Sequence, residues 1–299
     1  MAREIRRSRV GSFDSPAANS LHLSPVGRCR PSDARSGEGD RNSPGNSAPP
    51  HPTPLPCGAR ENATVSSESA AAHSSSSALY RLMAWLSPAY PVGAFSYSSG
   101  LEWAVEAGDV KDADALAAWL AVVISEGGGF CDAVLFAHAH RAAAALDDEA
   151  LRSAAELAAA FAPSKERHLE TVAQGGAFLE VTRAAWPCAA LDRLTRAWPG
   201  PYAYPIAVAM AAAGHGIAVE PALGAYLHAV AANLVSAGVR LIPLGQTDGQ
   251  RMVASIEPTI EATARRALAT SLEDMGGAAF RADLASQRHE AQYTRLFRS

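Results

Sequence analysis

The residues with the most obvious capacity for chemistry are two histidines, His138 and His140, in an alanine-rich segment. Imidazole nitrogens are common ligands for transition metals. On an α-helix, however, residues two positions apart point about 200° away from each other, so this pair cannot chelate one ion. Cys131 lies on the same apolar stripe as His138. The spacing favours a hydrogen-bonded core histidine and a buried thiol, and we predict no metal site.

The chain carries no recognisable pattern for a nucleophile or a phosphate-binding loop. Its only lysines are Lys111 and Lys165, and no G-x-x-x-x-G-K-[ST] segment occurs, which excludes a P-loop nucleotide site. Ser96 and Ser99 lie outside any G-x-S-x-G turn, so a catalytic role would require a histidine from a distant segment. H-E-x-x-H and the Glu-x-x-His pairs of di-iron bundles are also missing. We therefore predict no catalytic residue.

The segment from Leu86 to Glu102 is dense in prolines, glycines and aromatic residues and has no regular period. Pro88 and Pro91 disfavour helix at the residues before them, whereas Gly93 permits a turn. The segment is either a rigid loop between helices or a recognition surface. In the second case its candidate partner-binding residues are Tyr97, Ser99 and Glu102.

A polar stripe runs along a predicted helix that starts at Lys165. Glu166, Glu170 and Gln174 are spaced by four residues and so share one helix face. A solvated face is the common outcome for such a stripe. The alternative is a partner-binding face that includes Lys165, Glu166 and Gln174.

Two further clusters combine arginines with turn or aromatic residues. The first is Arg240-Leu-Ile-Pro-Leu-Gly-Gln-Thr-Asp-Gly-Gln-Arg251, either a structural linker or a site containing Arg240, Gln246 and Arg251. The second is Arg288 to Ser299, in the last part of the chain, where termini usually fray. Aromatic residues and arginine are nevertheless enriched at interfaces, so this part either frays or docks on a protein. Its candidate residues are Tyr293, Arg295, Leu296, Phe297 and Arg298.

The elements that would carry these residues are helices. Alanine dominates residues 78–299 and β-branched alternation is nearly absent, which favours helix between the glycine and proline breaks. The signals give about nine or ten helices in one all-α domain. Predicted helix starts lie at Ala78, at Ser98 or Ser99, and at Asp112, Asp147, Ser164, Pro205, Pro221 and Thr247. Pro258 should kink the helix that contains it or split it in two.

Residues 1–77 differ from the rest of the chain. They hold nine of the 19 prolines and a single aromatic residue, Phe13. This is too little apolar surface to offset the entropy of ordering, roughly 1–2 kcal/mol per residue. We predict a disordered Pro/Ser-rich extension over 1–77, followed by a helical domain over 78–299.

Charge and cysteine usage limit the functional class. Residues 1–77 carry a net charge of +2 and residues 78–299 carry −6, which argues against a nucleic-acid-binding surface. We find no apolar run of the ~18 residues needed for a membrane span, and no secretory signal. The four cysteines form no C-x-x-C pair, as is usual for reduced proteins. We expect a cytoplasmic protein that binds neither nucleic acid nor membrane.

Four segments, in order, resemble the family of the urease accessory protein UreF. They are Ser87 to Glu102, Ser164-Lys-Glu with Gln174-Gly175, Arg240 to Arg251, and Gln292 to Ser299. Their order and spacing fit from about residue 78 to the end of the chain. Tyr90 departs from the family pattern, in which an aliphatic residue is more usual.

This resemblance implies an all-helical, non-catalytic protein without a cofactor. Such a protein dimerises, binds the accessory protein UreD or UreH, recruits the GTPase UreG and supports nickel insertion into apo-urease. We predict that the Lys165/Glu166 face and the Arg240–Arg251 linker engage the GTPase or the dimer mate. The tail from Tyr293 to Arg298 is predicted to dock on the UreD-type partner, and Arg240 or Arg251 is the candidate for a finger reaching the GTPase site.

A rival class is a small-molecule enzyme on a helical scaffold, with the proline- and aromatic-rich turns lining a pocket. This class predicts a closed cavity with converging polar groups. An accessory protein would instead present the same residues on an open surface.

Overall fold

A computed structural model describes residues 67–299, with side chains from residue 75 onward, and every regular element in this part is a helix. The all-α class is thus confirmed. The α-helices are α1 (Ser67–Trp85), α2 (Leu101–Glu106), α3 (Ala113–Ser125), α4 (Gly128–Ala145), α5 (Asp148–Ala160), α6 (Lys165–Ala185), α7 (Ala189–Ala197), α8 (Tyr204–Gly214), α9 (Val219–Leu241), α10 (Gln246–Ala269) and α11 (Phe280–His289). A short 3-10 helix, Ala94–Ser96, lies between α1 and α2.

Side-chain caps fix several helix starts as predicted. The side chains of Asp112, Asp147 and Ser164 each accept a hydrogen bond from a backbone N–H of the first turn, at 2.9, 3.0 and 3.1 Å. These bonds satisfy donors that have no partner within the helix. The starts of α3, α5 and α6 are therefore set by local sequence.

Several helix starts differ from the prediction, among them that of α2, which begins at Leu101 with Gly100, and not Ser98 or Ser99, as its cap residue. α1 begins at Ser67 and not at Ala78, while the predicted disorder of residues 1–77 falls mainly outside the described residues. α10 begins at Gln246, where the carboxylate of Asp248 accepts the Gly245 N–H at 3.2 Å. This cap replaces the predicted one at Thr247 because Asp248 is already within reach of the preceding backbone.

The prediction also missed one helix and overestimated one break. α7 was not predicted, because the prolines on either side of it gave the segment the composition of a long turn. Pro258 lies inside α10 without splitting it. α10 packs against α3, α4 and α9, and this tertiary packing offsets the hydrogen bond that proline cannot donate.

The core forms around α4, α8 and α9. Nine consecutive residues of α8, from Tyr204 to Ala212, are buried, and α4 and α8 are both rich in alanine, which allows their backbones to approach closely. Tyr90 and Phe178 meet at a centroid distance of 5.4 Å within an aromatic cluster above α8. The Tyr90 hydroxyl lies 2.8 Å from the Thr182 hydroxyl on α6. The tyrosine that stands where an aliphatic residue is more usual therefore has a hydrogen-bonding partner in the fold.

Two helical stretches, Ala113–Ala145 and Val219–Leu241, are long and apolar enough to cross a membrane by length and composition. The prediction that no stretch reaches this length was wrong for both. The first stretch comprises α3 and α4 with a break between them, and much of each stretch is buried inside the protein. Their apolar composition is therefore explained by their place in the core.

The two histidines of α4 are hydrogen-bonded, as predicted for His138. Its Nε2 lies 2.9 Å from the Thr270 carbonyl oxygen, and the Nε2 of His140 lies 2.8 Å from that of Ile217. Burial lowers the pKa of His140. Within residues 67–299, no cluster of three or more His, Cys, Asp or Glu side chains is arranged to hold a metal ion.

Candidate protein-interaction site

The last ten residues, 290–299, which we call the tail, fold back onto the helical body. Arg298 donates its backbone N–H to the Ser96 carbonyl at 2.8 Å, and the Ser98 N–H donates to the Ser299 carbonyl at 2.8 Å. The Ser98 hydroxyl donates to the same carbonyl. The tail is therefore docked against the segment between α1 and α2, and it does not fray.

Glu102, on α2, receives the tail backbone. Its carboxylate accepts the N–H of Leu296 at 2.5 Å and that of Phe297 at 2.9 Å, and the side chain is almost fully buried. Hydrogen bonds to a charged acceptor are stronger than neutral ones, about 1.5–3 kcal/mol each. The Glu102 carboxylate thus holds the backbone of two consecutive tail residues, Leu296 and Phe297.

The polar stripe on α6 lies under the tail. Glu166, Glu170 and Gln174 are only 8%, 5% and 6% exposed, so the interpretation as a solvated face is wrong. Glu166 accepts from the Arg295 guanidinium at 2.6 Å, and Glu170 accepts from the Ser299 hydroxyl at 2.7 Å. Gln174 donates to Glu170 at 3.3 Å. The two glutamates of the stripe are polar because they pair with the tail, and not because they face water.

Arg240 completes the docking surface from α9. Its guanidinium carbon lies 4.5 Å from the centre of the Phe297 ring, and its Nη1 donates to the Phe95 carbonyl at 2.9 Å. Burial lowers the pKa of Arg240. Phe297 itself is buried, so this aromatic residue anchors the tail and does not face a partner.

Other side chains of this region point outward. Tyr293 is fully exposed, Leu296 and Phe95 are each about two-thirds exposed, and Lys165 and Arg298 are exposed at the edges. Aromatic side chains are enriched at protein–protein interfaces relative to the rest of the surface. These residues have the composition of an interface centre with a charged rim.

The remaining predicted residues fall into two groups. Tyr97 is buried and its carbonyl lies 3.4 Å from the Asn233 amide nitrogen, while the Ser99 hydroxyl accepts from Arg167 at 2.7 Å beneath the tail. Gln246 and Arg251 lie exposed at the start of α10, where Arg251 pairs with Asp248 at 2.8 Å. The structure therefore brings together the Leu86–Glu102 segment, the α6 stripe, Arg240 and the tail. Gln246 and Arg251, at the end of the linker, lie apart from them.

Two cavities, of about 320 and about 240 Å³, lie beneath this region and share Ser99, Asp132 and Arg167 in their walls. The Tyr226 hydroxyl donates to Asp132 at 2.9 Å, and Arg167 pairs with Glu170 at 2.5 Å. Four of the polar groups in these walls are thus bonded in two pairs. Neither Ser96 nor Ser99 is hydrogen-bonded to a histidine in residues 67–299.

Asp132 is the most perturbed carboxyl group in the cavity walls. Burial raises its pKa to about 6, while the nearby Arg167 guanidinium and the Tyr226 hydrogen bond lower it in part. The Arg167 pKa is raised by Glu170 and Asp132, which outweigh the effect of burial. This buried charge cluster links α4, α6 and α9 directly under the tail-docking surface.

Comparison with known proteins identifies the family. The sequence model named UreF matches residues 110–257. The urease accessory protein UreF of Rhodopseudomonas palustris strain BisB18 is 64% identical over 222 residues, which are 74% of this chain and 92% of that protein. The urease accessory protein UreF of Bradyrhizobium sp. strain ORS 278 is 59% identical over 231 residues, 77% of this chain and 96% of that protein. The chain belongs to the UreF family.

Membership of the UreF family confirms the resemblance found in the sequence and supports a role in urease maturation. The four segments that resemble the family are far apart in the chain, but they meet in the folded protein. Three of them, the α1–α2 turn, the α6 stripe and the tail, form one docking surface. The fourth contributes Arg240 to the same surface.

Sequence reasoning missed three members of this UreF surface: Ser98, Glu170 as a tail ligand, and His289. Ser98 and His289 stood inside segments that were singled out, but nothing in their spacing indicated a partner. His289 lies 187 residues from Glu102 and 123 from Glu166 in sequence. Only the fold brings these side chains together.

Two glycines in the UreF-like segments stand where backbones meet. Gly100 has φ +82°, and a Cβ there would lie 2.5 Å from the Ser286 nitrogen on α11. A Cβ on Gly175 would lie 2.0 Å from the Tyr202 carbonyl oxygen before α8. Both positions require glycine, because α2 and α6 could not otherwise approach the elements that carry the tail and the core.

Proposed function

We propose that this protein is a non-catalytic subunit of a urease-maturation complex in the cytoplasm. It binds a UreD- or UreH-type accessory protein through the tail-docking surface, recruits a UreG-type GTPase and supports nickel insertion into apo-urease. Nickel is cargo in this scheme, and GTP hydrolysis is performed by the GTPase. The observation that carries the proposal is the tail, whose buried side holds it on the body while Tyr293 and Leu296 face outward.

The geometry supports a binding role because the buried carboxylates of this surface are already hydrogen-bonded to the tail and are not free to act on a substrate. Glu102, Glu166 and Glu170 all accept hydrogen bonds from the tail. Their use is to fix a surface segment in one conformation before a partner arrives. Pre-ordering a segment in this way reduces the entropy that binding must otherwise overcome.

The partner assignment for the tail is tested by capture of the cognate UreD-type protein. A chain truncated after Arg288 should lose most of the capture, since it lacks the tail together with His289. Tyr293→Ala and Leu296→Ala should each weaken capture while the tail stays docked. Leu146→Ala, at an equally exposed leucine outside this surface, is the matched control. Undiminished capture by the truncated chain would refute the tail assignment.

Lys165, at the exposed edge of the predicted Lys165/Glu166 face, and the linker from Arg240 to Arg251 are proposed to engage the GTPase or the mate in a homodimer. Glu166 itself is buried and occupied by Arg295, so its part is to hold the tail. Lys165 is exposed beside the tail, and its backbone N–H donates to the Glu290 carboxylate at 2.8 Å. Lys165→Ala should therefore reduce recruitment of UreG without releasing the tail. Lys111→Ala, which removes the only other lysine, is the control.

Arg251 is the better placed of the two candidate arginine fingers, because its side chain is three-quarters exposed and Arg240 is held against Phe297. Single-turnover GTP hydrolysis by UreG, with and without the assembled complex, tests this role. Arg251→Ala should remove any stimulation, whereas Arg265→Ala on the same helix should not. Unchanged stimulation and unchanged urease activation with Arg251→Ala would exclude Arg251.

A further inference from the structure

His289 ends α11 and is fully buried, and each of its ring nitrogens meets a carboxylate. Nδ1 lies 2.6 Å from Glu166 Oε2, and Nε2 lies 3.0 Å from Glu102 Oε2. A neutral imidazole carries one N–H and can donate to only one of them. The geometry therefore matches an imidazolium that donates to α2 and α6 at the same time.

With the ring protonated, each buried carboxylate that contacts the tail has a cationic neighbour. These buried carboxylates, which lie against the tail, are Glu102, Glu166 and Glu170. Arg295 pairs with Glu166 at 2.6 Å, and Arg167 pairs with Glu170 at 2.5 Å. In residues 67–299, Glu102 has no arginine or lysine in ion-pair contact, so its counter-charge is His289.

The other charged groups on the elements around His289 have separate partners or lie outside ion-pair distance of the ring. They are Glu106 on α2, Lys165, Arg167, His168, Glu170, Glu180 and Arg183 on α6, Arg281, Asp283 and Arg288 on α11, and Glu290, Arg295 and Arg298 in the tail. Glu106 accepts from Gln292, and Glu290 accepts from the α6 backbone. Neutral His289 would thus leave Glu102 without a counter-charge while it still holds the tail.

We propose that protonated His289 is a positioning residue that holds the tail in its partner-binding conformation, so that the tail is released as the pH rises. This inference rests on the proposed function for its consequence in partner binding. Loss of the proton turns one donor into a lone pair facing a carboxylate oxygen. Glu102, then unbalanced in a buried site, is drawn toward water and releases the N–H groups of Leu296 and Phe297.

The test is amide hydrogen exchange of Leu296 and Phe297 in the full chain, corrected for intrinsic rates, across about pH 5 to 9, since neighbouring carboxylates favour the charged form of an imidazole. Protection in the natural protein should fall by about tenfold or more as the pH rises, the effect of losing one hydrogen bond to a charged group. His289→Gln should show low protection at every pH. His138→Gln, which removes a histidine bonded only to a backbone carbonyl, should behave like the natural protein.

A second variant keeps the test decisive if His289→Gln does not fold. Glu102→Gln removes the carboxylate that lacks another counter-charge, so its tail protection should vary less with pH than that of the natural protein. Protection that is independent of pH in the natural chain would overturn the inference. So would a pH dependence that survives unchanged in His289→Gln or in Glu102→Gln.

Capture of the UreD-type protein at the two ends of this pH range separates the inference from the proposed function. If tail protection falls with pH but capture does not, His289 positions the tail and the tail is not the partner surface. If capture falls while protection stays constant, the role of His289 is refuted and the partner surface stands. Parallel loss of both supports the two statements together.

Discussion

Replacing Phe297 by alanine should release the tail while the helical body stays folded. The Phe297 side chain is 4% exposed and lies under the Arg240 guanidinium. Truncating a buried phenylalanine costs about 3–5 kcal/mol, part of which is the contact with Arg240. A loss of about 3 kcal/mol lowers the ratio of docked to released tail by roughly 150-fold.

The assay compares this variant with Leu296→Ala, at the neighbouring residue. Leu296 is 67% exposed, and only its backbone N–H contributes to docking, through Glu102. Amide exchange of the tail should therefore rise by about 100-fold in Phe297→Ala and change little in Leu296→Ala. Affinity for the UreD-type protein should fall in both variants, for different reasons.

The reasoning has a clear point of failure. If Phe297→Ala leaves the tail amides as protected as in the natural protein, then the ring does not anchor the tail, and the hydrogen bonds to Glu102 and Glu170 suffice. If instead circular dichroism shows that the helices melt with the tail, then the tail belongs to the cooperative core and is not a separate docking segment. Either result would refute the division between anchor and outward-facing residues.

Two further predictions concern the body beneath the tail. Gly175→Ala should destabilise the protein by about 1–3 kcal/mol or more, because the added Cβ would overlap a backbone oxygen. Gly176→Ala, where there is open space, should stabilise it by about 0.5–1 kcal/mol. Thermal unfolding measures both variants, and equal effects would contradict the close approach at Gly175. The raised pKa of Asp132, about 6 against an ordinary 3.8, means that the folded protein binds this proton more tightly than the unfolded chain, so the group's contribution to stability falls as the pH rises from about 4 to about 6. Asp132→Asn should remove up to about 3 kcal/mol of this pH dependence, so the variant should gain stability relative to the natural protein between about pH 4 and pH 6. Denaturant unfolding at several pH values measures the free energy of unfolding of both proteins. Parallel plots of that free energy against pH would contradict the prediction.

Local sequence determined much of the helical framework. Asp112, Asp147 and Ser164 mark helix starts because their side chains reach N–H groups only two or three residues away. The same locality explains the errors. A proline inside α10 and the prolines around α7 were interpreted by their local effect, but packing against neighbouring helices decided the outcome.

The candidate site was predictable in membership and not in arrangement. The segments that resemble the UreF family contain most of its residues, and their aromatic and arginine content indicated an interface. Which ring anchors and which faces outward could not be predicted, since Phe297 and Tyr293 are similar in sequence terms. Their roles differ because Phe297 meets Arg240 from α9, whereas Tyr293 meets water.

The sequence by itself determined the all-α class, the family and the residues of the α6 stripe. It could not determine that Glu166, Glu170 and Gln174 are buried, because a spacing of four residues places polar groups on one face whether that face meets water or another part of the chain. Only the tertiary structure decided this, by returning a tail from more than 100 residues away to cover the stripe. Burial and charge pairing depend on such long-range contacts, and a periodic pattern within one helix does not encode them.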